Sequence, residues 1–591
     1  MKAKGGDFLL KNSEGQKYIF SEDFNEEQKM IRDTVRSFVE QEILPLTDRI
    51  EKLEEGLIPS LMEQFAQLGL FGTHMPEEYG GSNMDYITNS IIGEEIGPAG
   101  SFSVSYNAHT GIGMLPILYY GTEEQKQKYL PSLIDGSIKA SYCLTEPSSG
   151  SDALAAKSTA MLSDDKSHYI LNGQKMWITN AGFADLFTVF AQVDGDKFTA
   201  FLLTKGMTGL TLGAEEKKLG IKGSSTRMVF MENVHVPLEN VLGEVGKGHL
   251  IAFNVLNTGR YKLGDSCLGG CKKLCTAAIT YANEREQFKV PIGSFGAIKY
   301  KIAEQVIRTY TLDASVYRTA SLIQDAEQAF KAEGMSFGDA KKEAAEEYAI
   351  ECSIIKVLGS EVLDYVVDET VQIHGGMGYS EEGNIARGYR DSRINRIFEG
   401  TNEVNRLIIL NTIMRRAVKG EFDLMTPGMA VQNELMNGVP SDETFEGKYA
   451  EELKAISNYK KALIMLLGTA AQMTMSNTLN LKKEQEILMN FADIIIDIFA
   501  LESTVVRAGQ HSFDDAEKQK VIDAIVKTLA HDTNGKVVSN ATDAIASFIE
   551  PSIQPMFISG LRKFTKYPLQ NVKENRRLIA DFTLKAGEYV L

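Results

Sequence analysis

The hydrophobic period of the chain changes twice, and this constrains its architecture more than any other feature. From about Phe24 to Tyr129 apolar residues recur at helical spacing, as in Ile31, Val35, Phe38 and Leu44. Asn25 and Gln28 stand ahead of them like a capping box. Between Ser141 and Pro237 the texture becomes a series of short β-rich runs: Lys175 to Thr179, Leu186 to Val193, Phe198 to Thr204 and Met228 to Val236. Asn172-Gly173 and Asp194-Gly195 read as the turn pairs between such runs. After Gly248 the helical period returns and continues to about Lys419. The expected fold is mainly α with a central β domain: a helical domain over 1–140, a β-barrel-like domain over 141–240 and a four-helix-type domain over 241–420. Glu421 to Asp442, with Pro427-Gly428 and Gly438-Val439-Pro440, reads as a linker over 421–445. Leu453, Ile456 and Leu463, then Ile487, Phe491, Ile494, Ile498 and Leu501, mark amphipathic helices of an extra C-terminal helical domain over 446–591.

Composition narrows the function classes. With 591 residues, 43% hydrophobic and 24% charged, the chain is long enough for several packed domains. A formal charge of −17 argues against a nucleic-acid partner, because phosphate binding needs a basic face. Met1 to Phe20 carries Lys2 and Lys4 without the apolar run of a signal peptide, and no stretch approaches the ~20 apolar residues of a membrane span. Five cysteines in such a length point to a reducing compartment, the cytoplasm or another.

Four constellations could carry chemistry. Tyr142-Cys143-Leu144-Thr145-Glu146-Pro147-Ser148-Ser149-Gly150-Ser151-Asp152 gathers hydroxyls and backbone N–H groups around a Pro-fixed turn, which suits an electron-rich ring or a phosphate; an ordinary turn has the same composition. Trp177-Ile178-Thr179-Asn180-Ala181 holds the only tryptophan, whose ring beside a strand-end hydroxyl could flank a planar cofactor, although local chemistry favours a core tryptophan. Gln372-Ile373-His374-Gly375-Gly376-Met377-Gly378-Tyr379 follows a helical run rather than a strand, so it is a close-approach site or a helix C-cap and not a dinucleotide fingerprint. In Arg393-Ile394-Asn395-Arg396-Ile397-Phe398-Glu399-Gly400-Thr401, Glu399 stands between an aromatic ring and a glycine. A ligand could approach it closely there, and desolvation would make it a stronger base; most glutamates in such surroundings are solvated. Cys267, Cys271 and Cys275, one turn apart, read as small buried helix residues rather than metal ligands, and the eight histidines form no HExxH pair.

Taken together and in this order, the four constellations resemble the acyl-CoA dehydrogenase family from about Phe24 to Lys419. The resemblance implies FAD lying against the β domain and reaching into a neighbouring subunit of a homodimer. It places Tyr142, Leu144 and Thr145 along the flavin ring, Ser151 at the flavin or the CoA end of the substrate, and Trp177 and Thr179 beside the flavin's reactive edge. Arg285, Gln287 and Phe288, with Phe295, would hold the pyrophosphate of the partner's FAD; Gln372, Gly375 and Gly376 would contact its adenosine half, as would Thr401 and Glu403. Arg260 and Gly400 fall on the substrate side with Ser151. Glu399 matches the family's usual catalytic base, and Gly259-Arg260 stands where other branches carry that carboxylate. In the family the base removes an α-proton of an acyl-CoA thioester while a ribityl hydroxyl and the base's own N–H polarise the carbonyl. The flavin takes the β-hydride, a trans-2-enoyl-CoA forms, and electrons pass to an electron-transfer flavoprotein.

Asn257-Thr258-Gly259-Arg260-Tyr261, Ser294-Phe295-Gly296 and the region after the linker look most like the very-long-chain branch, which uses its extra region at the membrane surface. Gly111 and Gly113 sit where small residues would make room for a long acyl tail, or where helices pack tightly. Lys289 and Lys299 depart from the pattern, standing where glycine and glutamine are common. An acyl-CoA oxidase using oxygen, or a non-catalytic assembly protein of the same fold, are the alternative readings.

Overall fold

A computed structural model describes residues 4–13, 15–437 and 444–591 of the chain. The capping box forms: an Asn25 side-chain oxygen accepts from the Gln28 N–H (2.8 Å) and Gln28 returns the bond from the Asn25 N–H (3.1 Å), which starts α1 (Glu26–Phe38). The helices α2 (Leu57–Gln67), α3 (Tyr86–Ile96) and α4 (Glu123–Ile134) follow. Phe38, Phe65, Phe102 and Tyr106 fill the space between them, with Phe65 and Phe102 edge to face at 5.9 Å.

The central domain is an eight-stranded sheet of β1 (Ala140–Cys143), β2 (Thr159–Leu162), β3 (His168–Thr179), β4 (Leu186–Val193), β5 (Lys197–Thr204), β6 (Leu210–Glu215), β7 (Thr226–Pro237) and β8 (Val241–Leu242). Its order is β6-β7-β3-β2-β4-β5-β8, with β1 added to β4. One edge of β4 is therefore shared: β1 runs parallel to Leu186–Val189, and β2 runs parallel to Gln192 and Val193. Residues 144–158 leave that edge after β1 and rejoin it where the Gln192 N–H donates to the Ser158 carbonyl (2.8 Å).

Two expectations for this domain change. Asn172-Gly173 is not a turn but lies inside β3, at an irregularity of its pairing with β7. The Asn172 side-chain oxygen accepts from the Asn233 N–H (2.8 Å), and a Cβ on Gly173 would come within 2.4 Å of Ser158 Oγ. Bulges recruit the same residues as turns, so the local signal was ambiguous. Trp177 is not a core residue: it is 60% exposed. Between the pairs Lys175–Val229 and Ile178–Arg227, Met176 and Trp177 oppose the single residue Met228, and Trp177 adopts φ +57°, which turns the indole out of the sheet.

Beyond the sheet, α5 (Gly248–Glu284) leads into a hairpin of β9 (Glu286–Gln287) and β10 (Val290–Pro291), followed by α6 (Gly296–Ala332), α7 (Ala349–His374) and α8 (Asn402–Val418). Glycines let α5 and α7 pack closely and in the same direction, Gly264 against Ile355 and Gly270 against Leu363, with Tyr281 stacked on His374 at 4.2 Å. The three cysteines of α5 are buried, and among the described residues no cluster of His, Cys, Asp or Glu is arranged for a metal ion.

Within 421–445, expected as a linker, Met425–Asn437 forms α9; Pro427 falls in its first turn, where a missing N–H costs no intrahelical bond. Gly438-Val439-Pro440 and Lys2 lie outside the described residues. The C-terminal helices include α10 (Ala450–Met475), α11 (Gln485–Gln510), α12 (Ala516–Phe548) and α13 (Val572–Ala586). The last of these returns to the middle of the molecule: Leu584 O accepts from Asn283 Nδ2 (2.8 Å), and Lys299 pairs with Asp581 (2.5 Å). That pair accounts for the lysine at 299, and Lys289, at φ +70°, occupies the left-handed conformation that glycine favours. Among the described residues no helix is long and apolar enough to cross a membrane.

A line of buried charge joins the first and last domains to the helices between them. Asp313 of α6 lies 2.5 Å from Lys272 of α5 and 3.0 Å from Arg507 of α11. Lys272 also meets Glu94 of α3 (2.7 Å), and Arg507 meets Glu22 (2.9 Å). The Asp313 carboxylate makes no well-aligned hydrogen bond, so its charge is balanced by these two cations alone.

Candidate active site

A cavity of about 520 Å³ opens where the first helical domain, the end of β3 and α5 meet. Its walls are largely apolar, with Val104, Ala108, Ile112, Leu263 and Phe398 among them, and Thr179 and Glu399 add polar groups. Gly97, Gly100, Gly270 and Gly388 lie in its wall. Gly111 and Gly113 do not: a Cβ on Gly113 would press on Ala140 at 2.9 Å, so its small size serves packing, whereas one on Gly111 would meet Lys262 at an ordinary 3.6 Å.

Glu399 is placed by a turn that the sequence writes for it. Glu399 and Gly400 both have positive φ, +57° and +79°, before Thr401 caps α8 by accepting from the Val404 N–H. Asn405, fully buried, donates to the carbonyls of Gly400 (2.9 Å) and Thr401 (3.0 Å), and Arg260 Nε donates to the Glu399 carbonyl (3.3 Å). These bonds hold a conformation that a glutamate adopts only at a cost of about 1–3 kcal/mol. The side chain then lies against α5, where a Cβ on Gly259 would come within 2.8 Å of Glu399 Oε2. Glycine at 259 thus leaves the space that the carboxylate fills.

Glu399 Oε2 is buried without a hydrogen-bond partner. Burial raises the carboxyl's pKa above the usual range, and the charges of Arg260 and Lys356 oppose that rise only in part. Lys356 is itself buried, donates to Asn402 Oδ1 (2.6 Å), and is brought down to about 8, mainly by desolvation. The arrangement yields a desolvated carboxylate with one free oxygen in an apolar chamber, suited to taking a proton from carbon.

The remaining residues singled out from the sequence fall into two groups. Near the cavity are Thr179 in its wall, Arg260 behind the Glu399 turn, and Leu144 and Thr145, half-buried at the head of the 144–158 loop. Met176 N–H donates to the Thr145 carbonyl (2.9 Å), which ties this loop to the bulge bearing Trp177. Ser151 is exposed on the same loop, whereas the Tyr142 ring is committed to the core against Phe190 (5.2 Å).

The second group sits at the far ends of α5 and α7. Phe288 is 88% exposed at the hairpin tip, edge to face with Phe295 at 6.0 Å; Arg285 and Gln287 are exposed beside it, and Gln372, Gly375 and Gly376 are exposed where α7 ends. Thr401 and Glu403, expected with this group, start α8 beside the Glu399 turn instead. Gly259 and Arg285 are 26 residues apart on one helix, roughly 40 Å at 1.5 Å per residue. One chain therefore holds the two groups of residues far apart.

Sequence reasoning passed over Lys356, Asn402 and Asn405, and the pair Glu146–Lys175. Lys356 is a polar residue in a run that otherwise points inward, the other four stand among exposed or half-buried neighbours, and only burial marks them out.

Comparison with known proteins covers most of the chain. Family models match in order: "Acyl-CoA dehydrogenase, N-terminal domain" at residues 25–137, "Acyl-CoA dehydrogenase, middle domain" at 141–234, and "Acyl-CoA dehydrogenase, C-terminal domain" at 246–414, with a second model of that description at 458–563. A probable acyl-CoA dehydrogenase of Bacillus subtilis is 45% identical over 591 residues, covering 100% of this chain and 98% of that protein. The mitochondrial very long-chain specific acyl-CoA dehydrogenase of Rattus norvegicus is 34% identical over 84% of this chain and 76% of its own length. The crystal structure of an acyl-CoA dehydrogenase complexed with FAD from Bacillus anthracis superposes with a TM-score of 0.96 at 44% identity, covering 100% of both chains.

Proposed function

Since the chain belongs to the acyl-CoA dehydrogenase family, we propose that it converts a medium- to long-chain acyl-CoA thioester into its trans-2-enoyl-CoA, with Glu399 as the base. The observation that carries this reading is the Glu399 carboxylate, desolvated and with one free oxygen in the wall of an apolar cavity. An α-proton of a thioester is too weakly acidic for a solvated carboxylate to remove quickly, and burial makes this one a stronger base. The N–H of Glu399 donates to the thioester oxygen and stabilises the enolate charge as it develops. Arg260 and Asn405 keep the turn fixed, so both groups of Glu399 meet the substrate in one orientation.

The residues around β3 fit FAD. An indole left open at the end of a strand, beside the Thr179 hydroxyl and the Thr145 loop, suits a planar ring. FAD, when bound, supplies a two-electron acceptor. The distant group at Arg285–Phe288 and Gln372–Gly376 would hold the cofactor of the partner in a homodimer, since it lies roughly 40 Å along α5 from Glu399. Electrons would leave to an electron-transfer flavoprotein, and the product would enter fatty acid β-oxidation. Met425, Met429 and Met436, exposed on one face of α9, favour peripheral membrane contact through the region after Lys419, as in the very-long-chain branch. The five cysteines are all free and buried, in keeping with a reducing compartment.

Anaerobic titration of the yellow protein with a series of saturated acyl-CoAs, followed by flavin absorbance, tests the reading. Bleaching by medium- to long-chain members is expected. A protein that no acyl-CoA bleaches would refute the reading, and rapid recolouring in air would make it an oxidase.

A second expectation concerns pH. The base works deprotonated, so the rate of flavin reduction rises with pH through the pKa of Glu399. Lys356→Met removes a neighbouring positive charge that favours the carboxylate, so the rising limb should move to higher pH, by up to about one unit. Stopped-flow reduction across pH measures it; a limb that stays put or moves down would exclude this role for Lys356.

A further inference from the structure

Glu146 and Lys175 form an ion pair whose side chains are 3% and 0% exposed, far from any need for solubility. Lys175 Nζ donates to Glu146 Oε1 at 2.7 Å. The same carboxylate accepts the N–H groups of Lys157 (2.5 Å) and Ser158 (3.1 Å). Burial works against its ionisation, but Lys175 and these donors outweigh it and hold the Glu146 carboxyl below its usual range.

A buried ion pair returns little net stability, because desolvating two charges offsets most of their attraction. Its position gives it another role. Glu146 follows Thr145 at the start of the 144–158 loop, whereas Lys157 and Ser158 close that loop. Between these ends the chain has left the edge of β4 and has no ladder to fix it. Lys175 is the last paired residue of β3 before the bulge that turns Trp177 outward. One carboxylate thus joins the beginning of the loop, its end and the strand that carries the indole. The Met176 N–H, freed from β7 by the bulge, completes the link by donating to the Thr145 carbonyl.

We propose that Glu146 and Lys175 are positioning residues for the flavin, a buried pair that sets the Thr145 loop and the Trp177 bulge at one fixed separation so that both meet the same ring. This rests on the reading of Thr145 and Trp177 as flavin contacts. Neither charge touches the cofactor; the pair acts through the backbone on either side of it.

The test is FAD affinity of the full-length apoprotein, measured by flavin fluorescence, together with the visible band shape of the reconstituted protein. E146Q and K175M should each weaken FAD binding about 10- to 100-fold, by analogy with the loss when residues that orient metal ligands are removed. Their far-UV circular dichroism should not change, and the double variant should bind no worse than the weaker single one. K175R, which keeps the charge, should recover part of the affinity. T145V and W177A serve as references for the contacts themselves. If those two shift the affinity while E146Q and K175M stay within twofold of wild type, the proposal is wrong. If T145V and W177A have no effect either, the reading of the contacts fails with it. Should E146Q and K175M not accumulate as folded protein, E146D takes their place, since its shorter side chain cannot reach Lys175 and both loop N–H groups at once; wild-type affinity and band shape in E146D would equally overturn the proposal.

Discussion

In the Glu399→Gln protein, FAD stays bound and its reduction by acyl-CoA slows by roughly 10²- to 10⁴-fold, the range expected when a positioned general base is lost. Glutamine keeps the size of the side chain and leaves the turn intact, because Arg260 and Asn405 hold main-chain carbonyls rather than the carboxylate. The cavity keeps its shape and loses only its proton acceptor. Stopped-flow reduction under anaerobic conditions, with the flavin spectrum taken before mixing, separates the two properties. Normal reduction in this variant would remove Glu399 from the mechanism, whereas a colourless protein would mean that the carboxylate supports the cofactor site.

Asp313→Asn has a comparably large effect on stability and a smaller one on chemistry. The carboxylate is balanced by Lys272 and Arg507 and by no aligned hydrogen bond, so neutralising it leaves two buried cations facing one another. Removing one partner from a buried network of this kind costs about 3–5 kcal/mol. Guanidinium unfolding should reveal the loss as an earlier midpoint. Asp313 bridges α5, α6 and α11, so the C-terminal helices should loosen along with the middle ones, and circular dichroism at helical wavelengths should report one shared transition. A midpoint within 1 kcal/mol of wild type would mean that water or neighbouring dipoles carry the charge instead.

The features legible in the sequence are those set by periodicity and by local main-chain chemistry. The capping box at Asn25 and Gln28, the strands around Leu186–Val193 and the glycine after Glu399 depend on near neighbours, and each is formed. What stayed illegible depends on residues distant in sequence. Asn172-Gly173 has the composition of a turn but pairs with Asn233 across the sheet. Trp177 reads as core until the bulge against Met228 reverses its direction. Gly111 and Gly113 read as room for a ligand, yet neither lines the cavity: β1 lies against Gly113, and the glycines of the cavity wall come from three other segments. Glu399 stood out because it matches the position of the family's usual base, and its neighbours Phe398 and Gly400 allow a ligand to approach. Lys356 and Lys175 did not, since a lysine gives no local sign that it will be buried.

The length of α5 has a consequence for how much working enzyme a cell obtains from a given amount of chain. Its early turns face Glu399 and its last turn carries the Arg285–Phe288 hairpin, so on the homodimer reading each subunit completes its partner's cofactor site and leaves its own unfinished. Cofactor retention then obeys mass action between subunits. Dilution below the dimer's dissociation constant would release FAD from otherwise folded chains, and FAD in turn would act as the glue that draws two subunits together.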